Sequence, residues 1–340
     1  MSAPDSGLPV TLVDVEAARR RLGDRIHRTP LEPCRSLARP GGTLLLKCEN
    51  LQEVGAFKVR GALHHLLRIE ELDPTRLRRG VATYSSGNHG AALAWAARQL
   101  GARATIYVPA DIPAGKRAAI ERHGGRVVVA GRTSLDRRLA CEAACRADGS
   151  AIVPPFDDPW IVAGQATCGL EILEQAPDVA RLLVPVGGGG LLAGVALAVK
   201  SLRPEVEVIG VEPEAAASMK AALAAGRPVE IAAGETIADG LKPLQAGAIT
   251  HALAARFASR VVTVEDDAIR RAMRRLLEEA RLVVEPSGAA AVAAYLEGAA
   301  GAPENRVAAG GVTVALLSGG NVDFERLVGL LTGSPPTAES

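Results

Sequence analysis

The chain has 340 residues, 39 Lys plus Arg against 38 Asp plus Glu, and a formal charge of +1. That balance offers no electrostatic reason to expect nucleic acid or an anionic membrane as partner. Hydrophobic residues make up 48% and aromatics 3%, so the core must come from Ala, Val and Leu, and the length suits two domains or one large α/β unit.

The opening stretch "MSAPDSGLPVTLVDVEAARRR" lacks the basic start and apolar run of a signal peptide. The five cysteines, Cys34, Cys48, Cys141, Cys145 and Cys168, contain no CxxC pair, and an odd number argues against a closed disulfide framework. A reduced, cytoplasmic protein is expected. Next comes "GAFKVRGAL", residues 55–63, where Lys58 sits in a mostly apolar segment. Desolvation disfavours an ammonium, so on the segment alone Lys58 reads as a surface residue.

Further along, short β-branched runs alternate with Ala-rich helical stretches, the rhythm of βαβ units and a parallel sheet. "GVATYSSGNHGAALAWAARQLG" predicts a strand, a polar loop and a helix ending at Gly101. A strand through Val108 follows, then a helix closed by Gly124 and Gly125. "RVVVAG", a helix over about Ser134 to Ala147 and "AIVPP" complete a small domain, residues 75–153. Residues 1–74 and 154–332 form the large one, and 333–340 a disordered tail.

"LLVPVGGGGLLAGVALAV", Leu182 to Val199, is long and apolar enough for a bilayer. Its Pro and four consecutive Gly predict strand, loop and helix instead. "VEVIGVEP" is a strand leading to a helix near Ala215 to Ala225; "SRVVTV" precedes a helix over about Asp266 to Leu282. "TVALLSGGN" is the last strand and loop, before a short terminal helix.

Three loops then fall at the carboxyl ends of predicted strands, where parallel sheets collect ligands: 85–90, 187–190 and 318–321. Gly187, Gly188, Gly189 and Gly190 precede a helix, so the backbone can approach an anion and the helix N-terminus supplies N–H groups. A phosphate site is the leading reading, ahead of a tight βα turn. The loop has no P-loop Lys-Ser/Thr ending. Gly188 to Ala193 fits G-x-G-x-x-A with Glu212 at a later strand end, which keeps an NAD(P)-dependent oxidoreductase as a competitor. Ser85, Ser86, Gly87, Asn88 and His89 exceed what one helix cap needs and suggest a site for a carboxylate or ring hydroxyl. For His89 alone, a packed first-turn residue is the better reading. Ser318 is either a turn residue or a hydrogen-bonding group in the cleft.

In this order "GAFKVRGA", "SSGNHG", the tetraglycine loop and "SGGN" resemble the pyridoxal-phosphate enzymes of the tryptophan synthase β-like fold. Within them the chain is similar to the serine/threonine dehydratase and serine racemase group. "RTPL", "KCENLQ", "FDDPWIVAGQAT", "ETIADGL" and "EPSGAA" match as well, so the resemblance spans about residues 8–330. It implies an α/β fold of two domains, each an open, mostly parallel sheet flanked by helices, and a homodimer. It implies that Lys58 holds the cofactor as a Schiff base beside Phe57, and that Gly187 to Gly190 with the Leu191 backbone bind its phosphate. Asn88 would touch the ring hydroxyl and Ser318 would face the ring nitrogen. The backbone of Ser85 to His89 would hold the substrate carboxylate.

A neutral Ser at the ring nitrogen makes a weaker electron sink than a carboxylate would. The implied reaction is therefore α,β-elimination from a small β-hydroxy amino acid, threonine or serine, giving a 2-oxo acid and ammonia. Lys58 acts as general base. Ser86, placed to return a proton from the other face, keeps serine racemase as an alternative, and hydroxyaspartate or another β-hydroxy amino acid is an alternative substrate. Two positions depart from the family. Ala56 stands where many relatives have Ser. At the divalent-cation site Glu212 and the Ala216 carbonyl match, but Ser218 occupies the Asp position.

Overall fold

A computed structural model describes residues 7–85, 87–299 and 311–333. Helix α1 (Leu12–Leu22) begins at Thr11, whose side chain and that of Asp14 form a reciprocal capping box. Strands β1 (Leu31–Pro33) and β2 (Thr43–Lys47) precede α2 (Lys58–Leu72) and α3 (Pro74–Arg79). Then β3 (Val81–Thr83), α4 (Asn88–Gln99), β4 (Ala104–Val108), α5 (Ala114–Arg122), β5 (Arg126–Val129), α6 (Ser134–Asp148) and β6 (Ala151–Ile152) follow in strict alternation. The rhythm continues through α7 (Pro159–Gln175), β7 (Val179–Pro185), α8 (Gly190–Leu202), β8 (Glu207–Pro213) and α9 (Ser218–Ala225). It closes with α10 (Ala248–Phe257), β9 (Arg260–Val264), α11 (Asp266–Arg275), α12 (Pro286–Glu297), β10 (Val312–Leu316) and α13 (Phe324–Thr332).

The strands form two sheets. One has the order β5-β4-β3-β6 and is wholly parallel; the other runs β1-β2-β10-β7-β8-β9. Among the described residues only the β1–β2 strand pair is antiparallel, the edge arrangement common in α/β sheets. Leu182 to Val199 divides into β7, the glycine loop and α8, as the glycines require. No helix among the described residues is long and apolar enough to cross a membrane.

With few aromatics, close approach of small residues replaces bulk. A Cβ on Gly164 of α7 would lie 2.6 Å from the Gly61 Cα on α2, so α2 and α7 meet at backbone distance. All five cysteines are buried and unpaired, and Cys141 and Cys145 pack beneath the small sheet.

One predicted helix differs. The segment 266–282 is α-helical only to Arg275, passes into a π-turn over Leu276–Ala280 and stops at Arg281 in the left-handed region (φ +61°). Widening the last turn lets Leu282 N–H close back on the Leu276 carbonyl at 3.1 Å. Of the predicted tail, Gly333 closes α13, and 334–340 lie outside the described residues.

Candidate active site

Lys58 opens α2, which starts without a side-chain cap. Its Nζ donates to the Pro155 carbonyl at 2.6 Å and lies 5.1 Å from the centre of the Phe57 ring. Burial pushes its pKa down to about 8, so the neutral amine is within reach near neutral pH. The segment that carries Pro155 is held in turn from α4. His89 is buried with Nε2 3.1 Å from the Val153 carbonyl, and burial lowers its pKa to about 3. A neutral imidazole donating to that carbonyl satisfies both observations. His89 is thus a packed first-turn residue, as its position suggested.

The approach to Lys58 is tied to the SGGN loop. Phe57 N–H donates to the Ser318 carbonyl at 3.2 Å, Gly320 N–H to the Gly55 carbonyl at 2.9 Å, and Ala56 bridges Gly319 antiparallel. This short zipper places Lys58 and Ser318 in one frame although 260 positions separate them. Ala56 is buried at its centre. The Ser318 hydroxyl faces the Ser287 carbonyl at 3.5 Å, a distance that leaves it open to a better partner.

The tetraglycine loop leaves β7 and enters α8 with Gly189 as N-cap and no side-chain cap, so the first N–H groups of the helix are free for an anion. Gly189 has φ +95°, and a Cβ there would lie 2.8 Å from Thr250 Oγ1. That hydroxyl donates to the Gly188 carbonyl at 2.7 Å. A Cβ on Gly188 would collide with the Phe156 ring. Neither position has room for a side chain. Leu191, in the first turn of α8, is buried.

The third loop enters α4 at Gly87, again without a side-chain cap, and a Cβ on Gly87 would meet nothing within 4 Å beyond its chain neighbours. Ser85 and Asn88 are part-buried, while Ser86 lies outside the described residues. Asn88 Nδ2 donates to Glu285 Oε1 at 2.7 Å. Burial, reinforced by the charge of Asp239, pushes the Glu285 carboxyl up to about 8. Asp239 itself is paired with Lys116 and, at 3.2 Å, with Arg326.

Three loops therefore converge as their positions at strand ends predicted. Sequence reasoning gave no role to Pro155, which acts through its carbonyl, or to Phe156, which opens the quoted stretch "FDDPWIVAGQAT" and acts through its ring. Glu285 lay within a quoted stretch without a role. The residues present fit the cofactor that the resemblance implies: a glycine cradle closed to any Cβ, an uncapped helix start and a lysine whose amine is largely desolvated. They do not favour a cation at Glu212. That carboxyl is buried, its two oxygens accept from Met219 N–H at 2.7 Å and Lys220 N–H at 2.9 Å, and burial raises its pKa to about 7. It serves as a helix-start acceptor for α9 and carries no step below. The same engagement removes the acid that a dinucleotide ribose would need.

The family model described as "Pyridoxal-phosphate dependent enzyme" matches residues 22–319. An L-threonine ammonia-lyase of Thermotoga maritima is 40% identical over 323 residues, covering 94% of this chain and 77% of the relative. Among solved structures, maize serine racemase superposes with a TM-score of 0.88 at 33% identity, covering 96% of this chain and 98% of that one. The processed form of threonine deaminase isoform 2 from Solanum lycopersicum gives 0.85 at 35% identity, covering 94% and 91%.

Proposed function

From the premise that this chain belongs to the pyridoxal-phosphate dependent enzymes, we propose that it is an ammonia-lyase that eliminates the β-hydroxyl of threonine or serine. The observation that carries the reading is the half-buried Lys58 amine, desolvated beside a glycine cradle and an uncapped helix start. The bound cofactor supplies an aldehyde that condenses with amines and a conjugated ring that draws electrons from the substrate Cα.

The chain's own residues do the rest. Free N–H groups of Gly187 to Gly190 and Leu191 bind the cofactor phosphate, helped by the α8 dipole. Asn88 orients the ring hydroxyl and Ser318 hydrogen-bonds the ring nitrogen without charging it. Backbone N–H groups between Ser85 and His89 grip the substrate carboxylate. Lys58 Nζ, held by the Pro155 carbonyl, takes the α-proton and returns it to the departing β-hydroxyl, which leaves as water with the amine restored to its neutral form. Hydrolysis then yields the 2-oxo acid and ammonia. Residues 75–153 as the smaller unit, with 1–74 and 154–332 as the larger, belong to the same reading and are supported by the two separate sheets. So do a cytoplasmic location and a homodimer, supported by the five unpaired cysteines and the family resemblance respectively.

A panel of threonine, serine and hydroxyaspartate tests the substrate, scoring 2-oxo acid, ammonia and D-amino acid together. Threonine or serine is expected to release oxo acid and ammonia in equal amounts. D-serine as the main product would instead establish the racemase reading that the likeness to maize serine racemase favours. The cradle has its own test. Gly189→Ala forces a left-handed backbone on a Cβ already crowded by Thr250, and cofactor affinity by equilibrium dialysis is expected to fall about 10- to 100-fold.

A further inference from the structure

Asn321 closes the SGGN loop and has no part in the chemistry above, yet its side chain joins two other loops of the site. Its Nδ2 donates to the Val54 carbonyl at 2.7 Å and to Asn88 Oδ1 at 2.9 Å. Asn88 Nδ2 then donates to Glu285 Oε1 at 2.7 Å. A backbone carbonyl can only accept, so the Val54 end dictates which terminal atom of Asn321 is nitrogen. Since that nitrogen also faces Asn88, the atom it meets must be the Asn88 oxygen, and the Asn88 nitrogen is turned to Glu285. An amide nitrogen carries two hydrogens; Glu285 takes one, and the other has no partner among the described residues.

The relay starts from a strained residue. Val54 has φ +61° and is one of two non-glycine residues with positive φ among those described. For a β-branched side chain this conformation is costly and persists only where the surroundings impose it. Gly55 follows at φ +68°, and a Cβ there would lie 2.6 Å from Asn321 Oδ1. The amide is pressed against the turn that delivers Ala56, Phe57 and Lys58.

We infer that Asn321 is a positioning residue: it ties the strained Val54 turn to Asn88 and so keeps an Asn88 N–H, not its oxygen, available to the ring hydroxyl of the cofactor. The inference rests on the role of Asn88 in the reading above. A donor at that oxygen favours its ionised form and lowers its pKa. The readout is the pH midpoint of the visible absorbance change of the cofactor-loaded chain.

Asn321→Asp cannot donate to either partner, so Asn88 is free to turn, and the midpoint is expected to rise by about 1 pH unit. Asn321→Ala gives the same rise without adding a charge, and it serves if the aspartate variant does not accumulate. A purely structural role is separated by Val54→Gly, which relieves the turn. In Asn321→Ala/Val54→Gly the melting temperature recovers towards the parent while the spectral midpoint stays raised. A parental midpoint in that double variant, or in both single variants, overturns the inference. Borohydride-fixed labelling of Lys58 on the same samples distinguishes the two levels of failure. Absence of the label from the parent chain overturns the reading of the site, whereas a label with an unshifted midpoint overturns only the role of Asn321.

Discussion

Lys58→Ala is expected to lose about 10³-fold or more of the elimination rate, and to retain no cofactor covalently after borohydride treatment. No second lysine replaces it, because the amine must lie between the glycine cradle and the Ser318 loop. Lys116 is engaged by Asp239. The pH dependence follows from desolvation. Burial brings the Lys58 pKa from 10.5 down to about 8, so the ammonium dominates below that pH and the neutral nucleophile above it. Labelling of the cofactor-free chain by pyridoxal phosphate should therefore quicken about tenfold per pH unit and level off near pH 8. A profile still climbing towards the ordinary lysine range would mean that the amine is solvated and unsuited to this role.

Glu49→Ala carries the second large effect, on stability. Lys47, Glu49 and Arg60 are fully buried. Arg60 donates to Glu49 at 2.7 and 2.8 Å and to Glu171 at 2.6 and 2.9 Å; Lys47 donates to Glu171 at 2.6 Å and to the Thr29 carbonyl at 2.9 Å. The cluster joins the end of β2, the first turn of α2 that also carries Lys58, and the last turns of α7. Two cations balance two anions, and removing Glu49 leaves Lys47 and Arg60 to share Glu171, with one positive charge in excess in the core. Such a loss costs about 3–5 kcal/mol, measurable by denaturant unfolding; a change below about 1 kcal/mol would mean that the cluster relaxes or admits water.

The same cluster has a pH signature. Burial alone would raise the Glu49 carboxyl, but the Arg60 guanidinium prevails and holds it below its ordinary value of 4.5. Its stabilising contribution is complete above that value and is lost as pH falls through the depressed one. Acid unfolding of the parent should be correspondingly steeper than that of Glu49→Ala.

Much of this was legible in the residues. The βα rhythm placed three loops at strand ends because β-branched runs and glycine stops are local signals that tertiary contacts seldom override. Four consecutive glycines before a helix can be read without coordinates, since a cradle closed to any Cβ demands them. Lys58 was different: alone it read as a surface lysine, and only the loops far along the chain made its amine necessary. The helix from Asp266 was legible at its acidic start, whereas its π-turn end depends on where Leu282 must pack.

What the sequence by itself determined is the alternation of elements, the order of the loops and the family to which they point, because these rest on short-range patterns and on chemistry that few residue types supply. The tertiary structure alone decided that Glu212 caps α9, that the Pro155 carbonyl receives Lys58, and that Val54, Asn321, Asn88 and Glu285 form one hydrogen-bonded line. Those contacts join backbone carbonyls and side chains as much as 267 positions apart. No periodicity encodes them, since which donor meets which acceptor is set by how the two sheets bring their loops together.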